Sequence, residues 1–333
     1  ACNFRCSFCP LVSLERPLLT MPREMVLDLI GQISRDALAE SISFHVMGEP
    51  TLHKHLVEFC RVATESGLDV SLVTNGSRLS PAMSAALLDT GLRKISVSLR
   101  SPNDEYYSEI FKASKTLDYE SYLKQVRSLI SDSCARGPDH PTAVVVRLFV
   151  DRFRDKLREK VPHQGALYST EAVMARLRAW GEEFSGMSAE ALREAYPDRF
   201  RGSDRIPLTP GASILTGQIM RWWQQEADQV ETKYPARISY CGGYNEQFAV
   251  LADGRVTACC LDAEGRTSLG NVKDLPLKEI LGATPVSDFV GSFKSLRPPT
   301  RTCAKCLGGN TLVESIGRQA LNVYRRVVNP GQA

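Results

Sequence analysis

Three cysteines stand near the start of the chain at a spacing suited to a metal cluster: Cys2, Cys6 and Cys9, in the run Cys-Asn-Phe-Arg-Cys-Ser-Phe-Cys. Thiolates this close in sequence do not pair readily as disulfides. Three of them can ligate three irons of a [4Fe-4S] cube and leave the fourth iron without a cysteine, open to a small molecule. The competing chemistry is a zinc knuckle short of one ligand, and no histidine stands nearby to complete its tetrahedron. A second group, Cys241, Cys259, Cys303 and Cys306, ends in a Cys-x-x-Cys pair. Four thiolates suit either a fully ligated [4Fe-4S] cluster or structural zinc. Of the remaining cysteines, Cys60 in an apolar helical stretch and Cys134 after another read as small buried residues. Cys260 adjoins Cys259 and is either a bystander or a thiol that faces substrate as a hydrogen-atom donor. His45, His53 and His55 form no set with ligand spacing.

Residues so far apart in sequence need a frame to position them. Up to about residue 150, apolar runs at 41–47, 69–74, 94–99 and 143–150 alternate with amphipathic stretches at 23–39, 54–66, 81–90 and 119–133. Strand and helix in strict alternation imply a parallel sheet with right-handed crossovers, whose ligands collect at the carboxyl ends of the strands. Over 151–236 the strand signal stops. Helical patterns at 171–184, 188–196 and 213–228 surround a loop at 201–211 and read as a helical linker or substrate lid. After Tyr240, the stretches 247–251 and 255–258 flank Asp253-Gly254 as a hairpin, and 275–281 reads as a short helix. The expected organisation is a core over 1–150, a linker or lid over 151–236 and a small cysteine-bearing domain over 237–333.

A chain of 333 residues is long enough for more than one core. Its 43% hydrophobic and 24% charged content is that of a soluble globular protein, and no apolar run reaches membrane-spanning length. With no secretory signal, a cytoplasmic protein with no membrane association is expected. The net charge of +3 is not concentrated in a basic, aromatic-studded segment, which argues against a nucleic-acid partner.

The opening cysteines and the segments after the strands together resemble the radical S-adenosylmethionine (SAM) superfamily. Phe8 precedes the last cysteine where that family prefers an aromatic, implying a contact to the adenine of SAM. Met47-Gly48-Glu49-Pro50 is similar to the family's Gly-Gly-Glu-Pro segment. There Gly48 would let the ligand approach the backbone, and Glu49 would accept hydrogen bonds from the methionine ammonium. Thr74 and Asn75, ahead of Gly76, match a turn bordering the SAM pocket, and Ser98 stands where a ribose contact is implied. Relatives carry an acid two residues later, where this chain has Arg100. The strand that precedes the cluster loop in the family would lie ahead of Ala1, so a native segment is expected there.

The resemblance implies an α/β fold with a partial (β/α)6-type barrel. It also implies SAM cleavage to a 5′-deoxyadenosyl radical after one electron enters from the reduced [4Fe-4S] cluster. Cys241-x12-Gly254-x4-Cys259 is similar to the opening of the SPASM and Twitch extensions of these enzymes, and Leu269-Gly270-Asn271-Val272 also looks like that subgroup. With no cysteine after Cys306, a small Twitch-like extension with one auxiliary [4Fe-4S] cluster is implied. The expected reaction is hydrogen abstraction from a small polar metabolite or natural-product intermediate, leading to dehydrogenation or epimerisation. Flavodoxin or ferredoxin is the kind of one-electron reductant expected. A maturase of a ribosomal peptide is the alternative enzyme, and a non-catalytic zinc or iron-sulfur module is the alternative outside catalysis.

Overall fold

Strands rich in Val, Ile and Leu on one face need helices to cover that face, and this pairing organises the larger part of the chain. The computed structural model describes residues 1–6, 9–12, 14–101, 103–104, 107–108, 117–149, 170–185, 190, 205–217, 232–241, 243, 247–259 and 261–328. Two compact units emerge, one of Ala1–Cys9 with Ala39–Met220 and one of Pro10–Leu38 with Arg221–Ala333.

The first unit is built on a six-stranded sheet. Its strands are β1 (Ser41–Phe44), β2 (Asp69–Thr74), β3 (Lys94–Arg100), β4 (Ala143–Phe149), β5 (Arg205–Thr209) and β6 (Ala212–Gly217), in the order β1-β2-β3-β4-β6-β5. All neighbours are parallel except β5 and β6, which form an antiparallel hairpin. The sheet is open, as in a partial barrel. Numbered in chain order, helix α1 (Arg23–Arg35) belongs to the second unit, while α2 (Leu56–Glu65), α3 (Pro81–Leu88), α4 (Tyr119–Ala135) and α5 (Thr170–Ser185) belong to the first. Start signals are local. Ser80 accepts from the Met83 N–H at 3.2 Å ahead of Pro81, and Asp118 accepts from the Ser121 N–H at 2.8 Å. Leu72, Ile95, Val97, Val144, Val146 and Leu148 are fully buried on the helix side, each contributing about 1.5–3 kcal/mol by burial.

Four expectations need correction. The helix expected over 213–228 begins instead as strand β6, and the loop expected over 201–211 contains β5. In β5 the buried Ile206 and Leu208 alternate with exposed neighbours, and Pro210-Gly211 supplies the reversal into β6, which completes its ladder on β4. Pairing with a buried strand outweighs the helical pattern. The strand expected over 41–47 ends at Phe44, because Val46 and Met47 turn to φ of 68° and 54°. Cys134 lies within α4 rather than after it, and it is exposed, with its Sγ 3.2 Å from the Thr209 hydroxyl. Cys60 is buried as expected, and burial pushes its thiol up to about 12.

In the second unit α1 buries Val26, Leu29, Ile30 and Ile33, and its Gln32 side chain accepts the Leu277 N–H at 2.7 Å. Leu277 opens the short helix α6 (Leu277–Gly282). A three-stranded antiparallel sheet of β7 (Ala249–Val250), β8 (Arg255–Thr257) and β9 (Ser268–Asn271) carries the expected hairpin. Helices α7 (Thr284–Lys294), α8 (Arg301–Leu307) and α9 (Leu312–Val328) follow. Gly254 turns the hairpin at φ 92°, and a Cβ there would run into the Asn271 side chain, so the two motif segments are packed on each other.

Candidate functional site

The carboxyl ends of β1 and β2 meet at one carboxylate. Glu49 is 4% exposed, and its Oε1 accepts from the Thr51 N–H at 3.0 Å, the Thr51 hydroxyl at 2.6 Å and the Thr74 hydroxyl at 2.6 Å. Its Oε2 accepts the Asn75 N–H at 2.5 Å. Burial pushes the carboxyl pKa up, opposed by the bonds from Asn75, Thr51 and Thr74. Oε1 is therefore saturated within the protein, whereas Oε2 keeps acceptor capacity. Pro50 opens the single helical turn Pro50–Leu52, whose N–H at Thr51 Glu49 caps.

The cysteine loop is tied to the same place. The Glu49 N–H donates to the Ala1 carbonyl at 2.9 Å, and a Cβ at Gly48 would sit 3.0 Å from that oxygen. Gly48 thus admits the chain's own first residue, where the sequence suggested room for a ligand. The Asn75 amide donates to Asn3 Oδ1 at 2.9 Å and lies 3.8 Å from Cys2 Sγ, while Asn3 donates to Ser77 Oγ at 2.8 Å. Phe4, 2% exposed, anchors the loop edge-on against Tyr107 and Tyr122. The Tyr122 hydroxyl, on α4, donates to the Asn75 carbonyl at 2.6 Å. None of Asn3, Phe4, Ser77, Tyr107 and Tyr122 stood out in the sequence. The available signal was Phe4, an apolar residue inside a polar motif.

Cys6 and Cys9 are brought together by a turn, with the Cys9 N–H donating to the Cys6 carbonyl at 3.0 Å. Burial, then the neighbouring Cys9 and Cys2 thiols, push the Cys6 pKa far above its usual range, with Arg100 opposing. Arg100 has φ 61° and follows a bulge in β3, and its guanidinium donates to Ser98 Oγ at 3.3 Å. Ser98 sits at the carboxyl end of β3 but outside the Glu49 hydrogen-bond network. Positive φ at Val46, Met47 and Arg100 concentrates backbone strain at the ends of β1 and β3. Phe8 and Cys260 lie outside the described residues.

In the second unit Cys303 and Cys306 share one turn of α8, started by Thr300, whose hydroxyl accepts the Cys303 N–H at 3.1 Å. Burial raises the Cys303 thiol to about 12, opposed by Thr300 and reinforced by Cys306, Cys241 and Cys259. Cys303 thus lies within electrostatic reach of the other three. Cys241 and Cys303 pack on the core of Ala236, Ala258, Phe289, Phe293 and Leu307, and Arg318 of α9 donates to the Cys306 carbonyl at 2.9 Å.

Among the described residues no three His, Cys, Asp or Glu side chains converge on a single-ion site. By donor chemistry, Cys2, Cys6 and Cys9 suit a cluster with an open iron, and Cys241, Cys259, Cys303 and Cys306 suit a closed one.

Comparisons with known proteins agree. The model of the radical SAM superfamily matches residues 1–132, and that of an iron-sulfur cluster-binding domain, SPASM, matches 241–307. A GTP 3′,8-cyclase of Pseudomonas fluorescens (strain Pf0-1) is 24% identical over 300 residues, covering 85% of this chain and 81% of that protein. A probable GTP 3′,8-cyclase of Saccharolobus solfataricus is 33% identical over 111 residues, 33% of this chain and 35% of the other. Among solved structures, BtrN in complex with AdoMet and 2-DOIA has a TM-score of 0.51 at 16% identity, covering 93% of this chain and 91% of that one. Streptococcus suis SuiB bound to S-adenosylmethionine has a TM-score of 0.53 at 13% identity, covering 88% and 65%. Those likenesses show the fold, and no helix among the described residues is long and apolar enough to cross a membrane. With the two family models, the cysteine sets and the fold in agreement, this chain carries a radical SAM domain over residues 1–132 and an iron-sulfur cluster-binding domain of the SPASM type over residues 241–307.

Proposed function

We propose that this chain is a radical SAM oxidoreductase that abstracts a hydrogen atom from a small polar molecule, with dehydrogenation or epimerisation following. When bound, the cluster and SAM supply a 5′-deoxyadenosyl radical once an external one-electron donor such as flavodoxin or ferredoxin has reduced the cluster. The chain's own residues hold the reactants. Cys2, Cys6 and Cys9 would ligate the first cluster, and Glu49 Oε2 would accept from the SAM ammonium. Gly48, Pro50, Thr74 and Asn75 fix the backbone around that carboxylate, and Ser98 would meet the ribose. The observation that carries the reading is the buried Glu49, which joins the ends of β1 and β2 immediately beside the cysteine loop. Cys241, Cys259, Cys303 and Cys306 would hold one auxiliary cluster, a suitable electron acceptor for dehydrogenation.

The relatives named GTP 3′,8-cyclase favour a second reading, in which the substrate radical closes a ring. Product analysis separates the outcomes. Anaerobic protein given SAM, reductant and candidate metabolites should form 5′-deoxyadenosine that rises only with the right substrate. A product two hydrogens lighter marks dehydrogenation, and a ring-closed isomer marks the second reading. An inverted carbon bearing solvent deuterium, lost in Cys260→Ala, marks epimerisation with Cys260 as donor. No candidate raising 5′-deoxyadenosine above the substrate-free level would contradict the proposal.

A further inference from the structure

The face of the six-stranded sheet turned away from the helices is cationic. Side chains alternate along a strand, and Val97 lies on the helix side, within reach of the same Gly76 that Tyr122 of α4 covers. Lys94 and Ser96 therefore project the other way. Register carries the same face across the sheet: Ser96 pairs with Val145, so Arg147 shares it, and Arg147 and Arg205 both pair with Leu215 from opposite sides. On β1, Ser43 pairs with Ser71, which pairs with Lys94, and His45, one residue past the end of that strand, lies near enough to Arg147 and Lys94 for both charges to act on it.

Two polar groups on this face are buried without a hydrogen-bond partner, Arg147 Nε and Ser96 Oγ. Like charges accumulate here without local compensation. Burial and then Arg147 and Lys94 lower the pKa of His45; burial and then Arg147, Arg205 and Arg93 lower that of Lys94; burial and then Arg205 lower that of Arg147. Among the described residues, no carboxylate forms an ion pair with His45, Lys94, Arg147 or Arg205. Asp69, which heads β2 on the same face, is taken by Arg93. A set of mutually repelling cations with orphaned donors is a poor packing solution and a good anion receptor. Lys94, Arg147 and Arg205 carry fixed charge, which one carboxylate would offset only in part. A phosphoryl group brings about −1.5 to −2 and presents several acceptor oxygens to guanidinium forks.

We propose that this face receives the phosphoryl group of a phosphorylated small-molecule substrate, with Arg147 and Arg205 donating to its oxygens and Lys94 and His45 lining the same site. The inference rests on the reading of this chain as a radical SAM enzyme acting on a small polar molecule, and it names that molecule's charged handle.

The test is calorimetric titration of the full chain, anaerobically reconstituted and loaded with SAM, with pyrophosphate, inorganic phosphate and malonate as probes. Pyrophosphate should bind more tightly than phosphate and malonate, and added salt should weaken it. Arg147→Gln, Arg205→Gln and Lys94→Gln should each weaken pyrophosphate by about tenfold or more, with SAM affinity and cluster absorbance unchanged. Arg205 is exposed, so its variant keeps the test valid if Arg147→Gln fails to fold. Absence of pyrophosphate binding, or equal binding by wild type and the Arg205 and Lys94 variants, would overturn the proposal. Malonate binding more tightly than pyrophosphate would do the same. Failure of the enzymatic reading shows separately, as wild-type protein that never cleaves SAM.

Discussion

Replacing Thr74 by valine tests the carboxylate network with little change of volume. Thr74 is 1% exposed; its hydroxyl donates to Glu49 Oε1 at 2.6 Å and accepts the Gly76 N–H at 3.0 Å. Valine fits the strand but has no oxygen. The lost bond to a carboxylate is worth about 1.5–3 kcal/mol, and the orphaned Gly76 N–H costs about 1–3 kcal/mol. The extra methyl returns roughly 1 kcal/mol or less. The net loss is about 2–4 kcal/mol once incomplete additivity is allowed for. At about 2–4 °C per kcal/mol for a unit of this size, Tm should fall by roughly 4–16 °C in calorimetry. A double-mutant cycle with Glu49→Gln should give a coupling of about 1 kcal/mol, because the Gln carbonyl still accepts from the Thr74 hydroxyl but without the charge, so one change weakens the bond that the other removes. Since Thr74 also shapes the backbone at Asn75, SAM affinity should weaken. A Tm within about 1 °C of wild type, with additive effects in the cycle, would refute the network as the support of this site.

Further outcomes follow from neighbouring residues. Gly76 has φ 81°, and a Cβ there would lie 2.9 Å from Val97 Cγ1 and 3.1 Å from Tyr122 Cε2, so Gly76→Ala should destabilise by about 2–4 kcal/mol in calorimetry. Because burial raises the Glu49 pKa, the folded protein holds that proton more tightly than the unfolded chain. Its contribution therefore weakens as pH climbs from about 4.3 through the raised value, and Glu49→Gln should remove that part of the pH–stability slope. Replacing Cys2, Cys6 and Cys9 together with alanine should remove roughly half the iron yet leave a [4Fe-4S] signal from the second cysteine set. Stoichiometric zinc and no residual cluster in that variant would decide for a structural metal.

Much of this was legible because it is local. The cysteine spacing, the glycine at 254 and the alternation of β2 and β3 with their helices are carried by neighbours in sequence. In the second cysteine set, the Cys-x-x-Cys spacing is local, and Cys303 and Cys306 do share a helical turn. What escaped depends on contacts between distant segments. β5 and β6 become strands because Ala212–Gly217 finds β4 as a partner, which no window of residues reveals. The cationic face escaped for the same reason, as His45, Lys94, Arg147 and Arg205 are scattered over 161 positions and meet only once the strands pair. The Glu49 carboxylate was identified, but its commitment to Thr51, Thr74 and Asn75 could not be read from a motif that predicted a ligand contact.

The central claim is that the loop of Cys2, Cys6 and Cys9, held against Glu49 and Asn75, supports SAM cleavage. Its most direct test is the formation of 5′-deoxyadenosine and methionine by anaerobically reconstituted, reduced protein supplied with SAM, compared with the Cys2/Cys6/Cys9→Ala variant. Wild type should cleave SAM and the variant should not, although its second cysteine set still holds a cluster. Equal cleavage by the two proteins, or none by a wild type with full iron, would contradict it.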